Sequence, residues 1–221
     1  MKKNIFGIAV ALLAFTACKE APKADEAVTT DAQEVNTASA MGGANYTVDN
    51  NQSTIEWIGT KPVGQHHGTF KIQQGNLTTA GNEITAGKVV IDVASVQPDD
   101  QDEKGNAKLQ THLKGGDFFD VEKYPTGTFE ITKVQQGAPT GGDAVMKDAT
   151  HTVTGNLTLK DQTKSVSFPA RINLTDAEIV ADANFNIDRT QWGIVYGNDK
   201  SLGDKFIRPE VNLKLHLVAK K

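Results

Sequence analysis

Three stretches in the last third of the chain alternate apolar and polar side chains with a period of two. Val166, Phe168, Ala170, Ile172 and Leu174 alternate with Ser165, Ser167, Pro169, Arg171 and Asn173. Ile179, Ala181, Ala183, Phe185 and Ile187 repeat the pattern, as do Val211, Leu213, Leu215, Leu217 and Ala219. Such alternation sets one face of a strand against a core and the other toward water. Shorter versions occur at Ile55/Trp57, Phe70/Ile72, Val89/Ile91/Val93, Phe129/Ile131 and Val153/Leu157/Leu159. Asp161-Gln162-Thr163 reads as a hairpin turn between two of these strands. Pro169, which has no N–H to give to a ladder, marks an edge or a bulge. One stretch has helical spacing: Glu103 to Lys114 places Leu109 and Leu113 one turn apart, and Gly115-Gly116 stops it. The predicted fold class is all-β, about eight antiparallel strands with one helical excursion. Clean alternation disfavours buried parallel strands. It leaves a closed barrel and a sandwich both open.

The pattern begins only near Tyr46, and what precedes it is of two kinds. Lys2 and Lys3 are followed by an apolar run from Ile5 to Phe15 and then by Thr16-Ala17-Cys18. A spanning helix needs about 20 apolar residues, so this run reads as the apolar part of a removable secretory leader. The single cysteine stands directly after the small residue that would precede cleavage. In this the segment resembles a bacterial lipoprotein signal, although Phe15 stands where such signals usually have Leu. The resemblance implies a leader over residues 1–17 and acylation of Cys18. Stable lipid anchoring needs more than one chain, which bacterial lipoproteins normally supply. Lys19 is not the Asp that marks inner-membrane retention in some bacteria, so the expected location is the cell envelope, anchored to the outer membrane. Residues 18–45 then read as the acylated cysteine and a disordered linker. They hold almost no large apolar side chains with which to offset the entropy of ordering.

Composition narrows the function classes. The chain has 221 residues, one Cys and a formal net charge of −4. A single cysteine excludes a disulfide framework and any multi-cysteine metal site. An acidic chain with 6% aromatics lacks the basic face and stacking platform of a nucleic-acid binder. No nucleophile-elbow, P-loop, dinucleotide or paired-histidine zinc motif occurs, so no enzymatic activity is expected. His66 and His67 are neighbours on a strand and point to opposite faces, which keeps them from sharing a metal. The acidic run Asp99 to Glu103 lacks the order of a calcium loop and reads as a solvated loop that starts the helix. Asp188-Arg189 reads as a structural ion pair at a strand end.

The middle of the chain carries a longer phrase. Thr111-His112-Leu113-Lys114-Gly115-Gly116-Asp117-Phe118-Phe119-Asp120 leads to Tyr124-Pro125-Thr126-Gly127-Thr128-Phe129, and Phe185-Asn186-Ile187-Asp188-Arg189-Thr190-Gln191-Trp192-Gly193 follows later. With Tyr46-Thr47-Val48-Asp49 and Thr154-Gly155-Asn156-Leu157, these resemble the YceI-like family of exported bacterial proteins. Gln110-Thr111 stand where that family often has Arg-Asp. The resemblance covers about residues 46–219 and implies a domain over 46–221, a lipocalin-like eight-stranded antiparallel β-barrel. It also implies an apolar pore that holds a polyisoprenoid lipid or the tail of an isoprenoid quinone, with no other cofactor required. Inward candidates for contact with such a chain are Trp57, Phe70, Ile91, Phe118, Phe119, Phe129, Phe168, Phe185, Ile187 and Trp192. Small residues at Ala170, Ala181 and Ala183 would leave space beside them. The expected partners are therefore an isoprenoid lipid and the membrane, through the acyl anchor, with self-association into a homodimer left open. A non-enzymatic envelope scaffold with a fully packed barrel is the alternative.

Overall fold

The alternating segments become the wall of a closed barrel. The computed structural model describes residues 20–35, 43–137 and 144–221. Its strands are β1 (Asp25–Glu26), β2 (Val28–Asp31), β3 (Ala44–Val48), β4 (Thr54–Thr60), β5 (Gln65–Ala80), β6 (Glu83–Pro98), β7 (Thr126–Gln136), β8 (His151–Leu159), β9 (Gln162–Leu174), β10 (Glu178–Asp188) and β11 (Glu210–Lys220). Helix α1 (Glu103–Lys114) lies between β6 and β7. From β5 to β11 each strand pairs antiparallel with the next. The ring closes because β3 and β4 share the edges of β5 and β11: β3 takes Ala219 and Lys220, and β4 takes Val211 to His216. Together β3 and β4 act as one interrupted strand, so the barrel has eight. Of the two open architectures, closure selects the barrel, which leaves no long unpaired edge.

The helix and its start are as the residues suggest. The side chain of Asp102 accepts from the N–H of Gly105 at 2.7 Å, and Gly115 ends the helix. Leu113 is buried against the barrel. The β8–β9 turn corrects the expected tip: it is Lys160-Asp161, with Leu159 opposite Gln162. Lys160 takes a positive φ of 55°, as a tight two-residue hairpin demands even of a residue with a side chain. Gly155 faces inward between Val153 and Leu157, and a Cβ there would lie 2.4 Å from Cζ of Phe129. The missing side chain is what lets the Phe129 ring cross β8.

The main difference from expectation lies in the segment read as a disordered linker. Cys18 and the leader lie outside the described residues. Residues 25–31 are ordered strands in the wall. β9 and β10 pair at only four positions, from Leu174/Ile179 to Arg171/Asp182, and then part. β1 runs parallel to β10 with Asp25 opposite Phe185, and β2 runs antiparallel to β9 from Val28/Ser167 to Asp31/Lys164. Pro169 helps to explain the parting. The Ala170 carbonyl accepts from Thr150 on the β8 side, so the adjacent Pro169 faces β10 with no N–H to offer. The strap is held by its backbone and by polar side chains. Asn186 donates to Glu26 at 2.8 Å, Asn156 exchanges two bonds with the Gln33 backbone, and Asp25 accepts from the N–H groups of Val145 and Met146. Two open strand edges supply the ordering energy that its own side chains lack.

Where β9 and β10 part, three strands are tied by charge. Asp182 accepts from Arg171 at 2.8 Å and from His216 at 2.7 Å, and Arg171 also reaches Asp148 at 2.9 Å. Partial burial raises the Asp182 pKa, but the hydrogen bonds from Arg171 and His216 outweigh it and hold the carboxyl below its ordinary value. A depressed carboxylate contributes stability that is present above its unfolded pKa, about 3.9, and is lost as pH falls through the folded value. Acidification below about pH 4 therefore unfolds the protein with a steeper pH slope than it unfolds Asp182→Asn. Denaturation midpoints taken across that range check this, and equal slopes for the two proteins would remove Asp182 from the account.

Candidate ligand-binding channel

The barrel interior is not filled by its own side chains. Two chambers follow one another along the axis and share Ile55, Ile91, Leu157 and Leu213 in their walls. The lower chamber, of about 140 Å³, lies toward the β9–β10 hairpin. Its wall is carbon, with Thr54, Asp182 and His216 as the polar residues around it. Ala170, Ala181 and Ala183 all border it, as the small inward positions suggested. Phe168 and Phe185 stack there at 4.0 Å with an interplanar angle of 10°, and Phe129 lies 5.8 Å from Phe168. The stacked pair bridges β9 and β10 at the level where their backbones have parted. Inside, the seam is closed by rings; outside, by the strap.

The upper chamber, of about 430 Å³, opens toward α1 and the loop between β10 and β11. Phe70 and Phe119 meet edge to face at 5.5 Å, and His112 lies edge-on to Phe118 and Tyr196 at 5.1 and 4.8 Å. These rings form a partial cover. The polar groups of this end sit at its mouth. Lys61 lies 3.4 Å from Nε2 of His66, whose Nδ1 lies 2.8 Å from Asp100. An ammonium can only donate, so Nε2 accepts from Lys61 and Nδ1–H is the donor to Asp100. His67 points the other way and bonds Asp99 at 2.6 Å. The two neighbouring histidines do face opposite sides, each with one member of the acidic run. Among the described residues no three His, Cys, Asp or Glu side chains gather where they could hold a metal ion.

Of the residues expected to face the pore, the upper chamber is lined by Trp57, Phe70, Phe118, Phe119 and Ile187, and the lower by Phe129, Phe168 and Phe185. Ile91 borders both. Trp192 is a correction. It is fully buried beside the barrel wall, packs with the Val153–Leu157 cluster, and donates its indole N–H to the Leu157 carbonyl at 2.9 Å. It borders neither chamber and serves packing. Asp188-Arg189 is also corrected: Asp188 caps the following turn through Thr190, while Arg189 donates to the carbonyls of Ile194, Tyr196, Ile207 and Arg208. Lining residues that the strand pattern did not reveal are Lys61, His66, His112, Ile194, Tyr196 and Ile207. The one available signal among them was the alternation at His66-His67. The others sit on the helix or on irregular loops, where period two carries no information.

The YceI-like domain family matches residues 46–219. The chain belongs to that family. A UPF0312 protein of Pseudomonas putida strain W619 is 36% identical over 107 residues, which is 48% of this chain and 49% of that protein. One from Azotobacter vinelandii is 33% identical over 105 residues, 48% of each chain. The chain thus spans about half the length of the curated relatives it matches. Among solved structures, BcnA of Burkholderia cenocepacia aligns with a TM-score of 0.59 and 25% identity over 77% of this chain and 98% of that one. A polyisoprenoid-binding domain from Saccharophagus degradans, implicated in plant cell wall breakdown, aligns at 0.57 with 16% identity over 79% and 97%. At that identity the second likeness speaks for the barrel fold alone.

Proposed function

We propose that this YceI-like barrel binds a polyisoprenoid lipid or the tail of an isoprenoid quinone along its axis, as a carrier or store in the bacterial envelope, without catalysing a reaction. Acylated Cys18 is the proposed anchor, in the outer membrane. The observation that carries the reading is the carbon-walled lower chamber continuous with a larger one above. An apolar cavity of this size stays dry. At about 24 cal/mol per Å³, an empty 140 Å³ void costs about 3 kcal/mol, a large part of a domain's net stability. A hydrocarbon chain recovers that term and adds about 0.8 kcal/mol for each CH₂ withdrawn from water. The polar groups gathered at the upper mouth suit a ligand whose head stays near the surface while its tail runs inward. That the Saccharophagus neighbour is a polyisoprenoid-binding domain accords with this chemistry. A packed barrel serving only as a scaffold is disfavoured by the same chambers.

Native mass spectrometry of the full chain purified from a bacterial host tests the reading. The expected result is a population heavier than the polypeptide and its acyl groups by the mass of one isoprenoid lipid, recovered on solvent extraction. A chain that carries nothing, and takes up no added polyprenol or quinone, would sink it.

A further inference from the structure

Exposed large apolar side chains are few among the described residues: Val28, Val63, Val195, Tyr196 and Leu202. Four of the five stand at one end of the barrel, and that end is the mouth of the upper chamber. Val63 is the tip of the β4–β5 hairpin, between Lys61 and His66, which both line the chamber. It is 68% exposed. A bond from the Lys61 N–H to the Gly64 carbonyl fixes the turn, so Val63 is held out as a rigid point. Val195 and Tyr196 follow the lining residue Ile194, Tyr196 itself lining the chamber, and Leu202 precedes the lining residues Asp204 and Lys205. The two loops are tied together where Arg208 N–H donates to the Thr60 carbonyl, and the longer loop is closed on itself where Ile207 N–H donates to the Gly197 carbonyl. Lys61, Lys200 and Lys205 stand among these apolar tips, while of the acids in the same turn Asp199 is engaged as its cap through the Ser201 N–H and Asp204 lines the chamber.

Apolar tips interspersed with lysines around the opening of a carbon-walled cavity have the chemistry of a surface that meets a bilayer. The apolar groups enter the acyl boundary, and the lysine stems lie along it while their ammonium groups stay at the phosphates. A protein partner would be expected to meet a flatter patch than three separate protruding points. We propose that the mouth end of the barrel docks directly onto an anionic lipid bilayer through Val63, Val195, Tyr196 and Leu202 with the flanking lysines, so that ligand passes between membrane and channel without crossing water. This rests on the reading that the channel holds a lipid. Ordering of the strap favours it. Only six residues separate Cys18 from β1, a reach of at most about 25 Å. A lipid-anchored barrel is therefore kept close to the surface that its mouth is shaped to meet.

The test uses the full chain with Cys18→Ser, which removes both the acyl anchor and the native thiol. A second substitution, Val63→Cys or Glu83→Cys, then gives a unique thiol for an environment-sensitive NBD label. Glu83 is exposed on the β5–β6 hairpin, at the far end of the barrel. On addition of phosphatidylcholine vesicles containing phosphatidylglycerol, the label at 63 shifts to the blue and the label at 83 does not. Lys200→Glu with Lys205→Glu raises the vesicle concentration needed for half the shift by on the order of tenfold. No shift at 63, an equal shift at both sites, or insensitivity to the lysine substitutions overturns the proposal. Failure of the lipid-binding reading registers separately, as the absence of bound lipid in mass spectra of the same protein.

Discussion

Arg189→Met lowers the unfolding free energy by about 3–5 kcal/mol, a loss comparable to breaking a buried charged network. Arg189 follows the last residue of β10, and its side chain is buried beneath the loop that closes the upper chamber. The guanidinium donates to Ile207 and Tyr196 at 2.9 Å, to Arg208 at 3.2 Å and to Ile194. All four acceptors are backbone carbonyls of one irregular segment. Burial pulls the Arg189 pKa down, and the charges of Asp188 and Glu210 offset this in part. The side chain remains charged throughout the range in which proteins fold. Methionine fills similar space but donates nothing, so four carbonyls lose their donor, and each buried one left unsatisfied costs about 1–3 kcal/mol. Arg189→Lys keeps the charge with fewer donors and lacks the fork, so it falls between. Urea denaturation with the slope held constant measures the loss, and faster proteolysis within residues 193–209 locates it. A loss below about 1 kcal/mol would mean that the loop holds itself by apolar packing.

The second large effect concerns the ligand. Ala183 borders the lower chamber beside the stacked Phe168 and Phe185. Ala183→Phe places a ring in a void of about 140 Å³. Overpacking a full core costs about 1–3 kcal/mol, but here space exists, so the protein stays folded and the channel is blocked halfway. The upper chamber is untouched. Lipid extracted from Ala183→Phe then loses its long-chain species, while shorter chains remain. Comparison of chain-length distributions in solvent extracts of the two proteins reads the effect, with near-complete loss of the longest chains as the expected result. An unchanged distribution would place the ligand outside the lower chamber.

Much of the barrel is visible in single strands. Val166 to Leu174, Ile179 to Ile187 and Val211 to Ala219 point their odd or even members inward as their alternation requires, because strand facing is a local property of the pleat. The same rule set His66 and His67 on opposite faces, and the structure decides that His66 is the one at the channel mouth. Trp192 was misread because it follows a strand and sits in a short turn. There, size and apolarity say that a side chain is buried but not which space it borders. The β8–β9 turn was placed too far along the chain, since Gln162 and Thr163 already belong to β9. Its residue of positive φ is a lysine, which carries no turn signature.

The strap shows where such reading ends. Val28-Thr29-Thr30 has some preference for strand, but in isolation it has too little apolar surface to order. A trace of its position does exist on the other side of the contact. Asn156, Ser165 and Asn186 are outward positions in the wall, yet they are buried, each against the strap. Short polar side chains there, in place of charged ones, mark a face covered by backbone.

By itself the sequence determined the strand faces, the single helix and its caps, and the family phrase that implies a barrel. Each of these depends on residues close together in the chain. The tertiary structure alone decided that β3 and β4 make one wall strand, that β9 and β10 part at Arg171 and Asp182, and that residues 25–31 fill the gap. It alone decided that the interior is left open. Ladder pairing between Val28 and Ser167 joins groups far apart in sequence, and the volume of a cavity is what remains after eight strands have closed around it. Neither is a property of any segment until the ring exists.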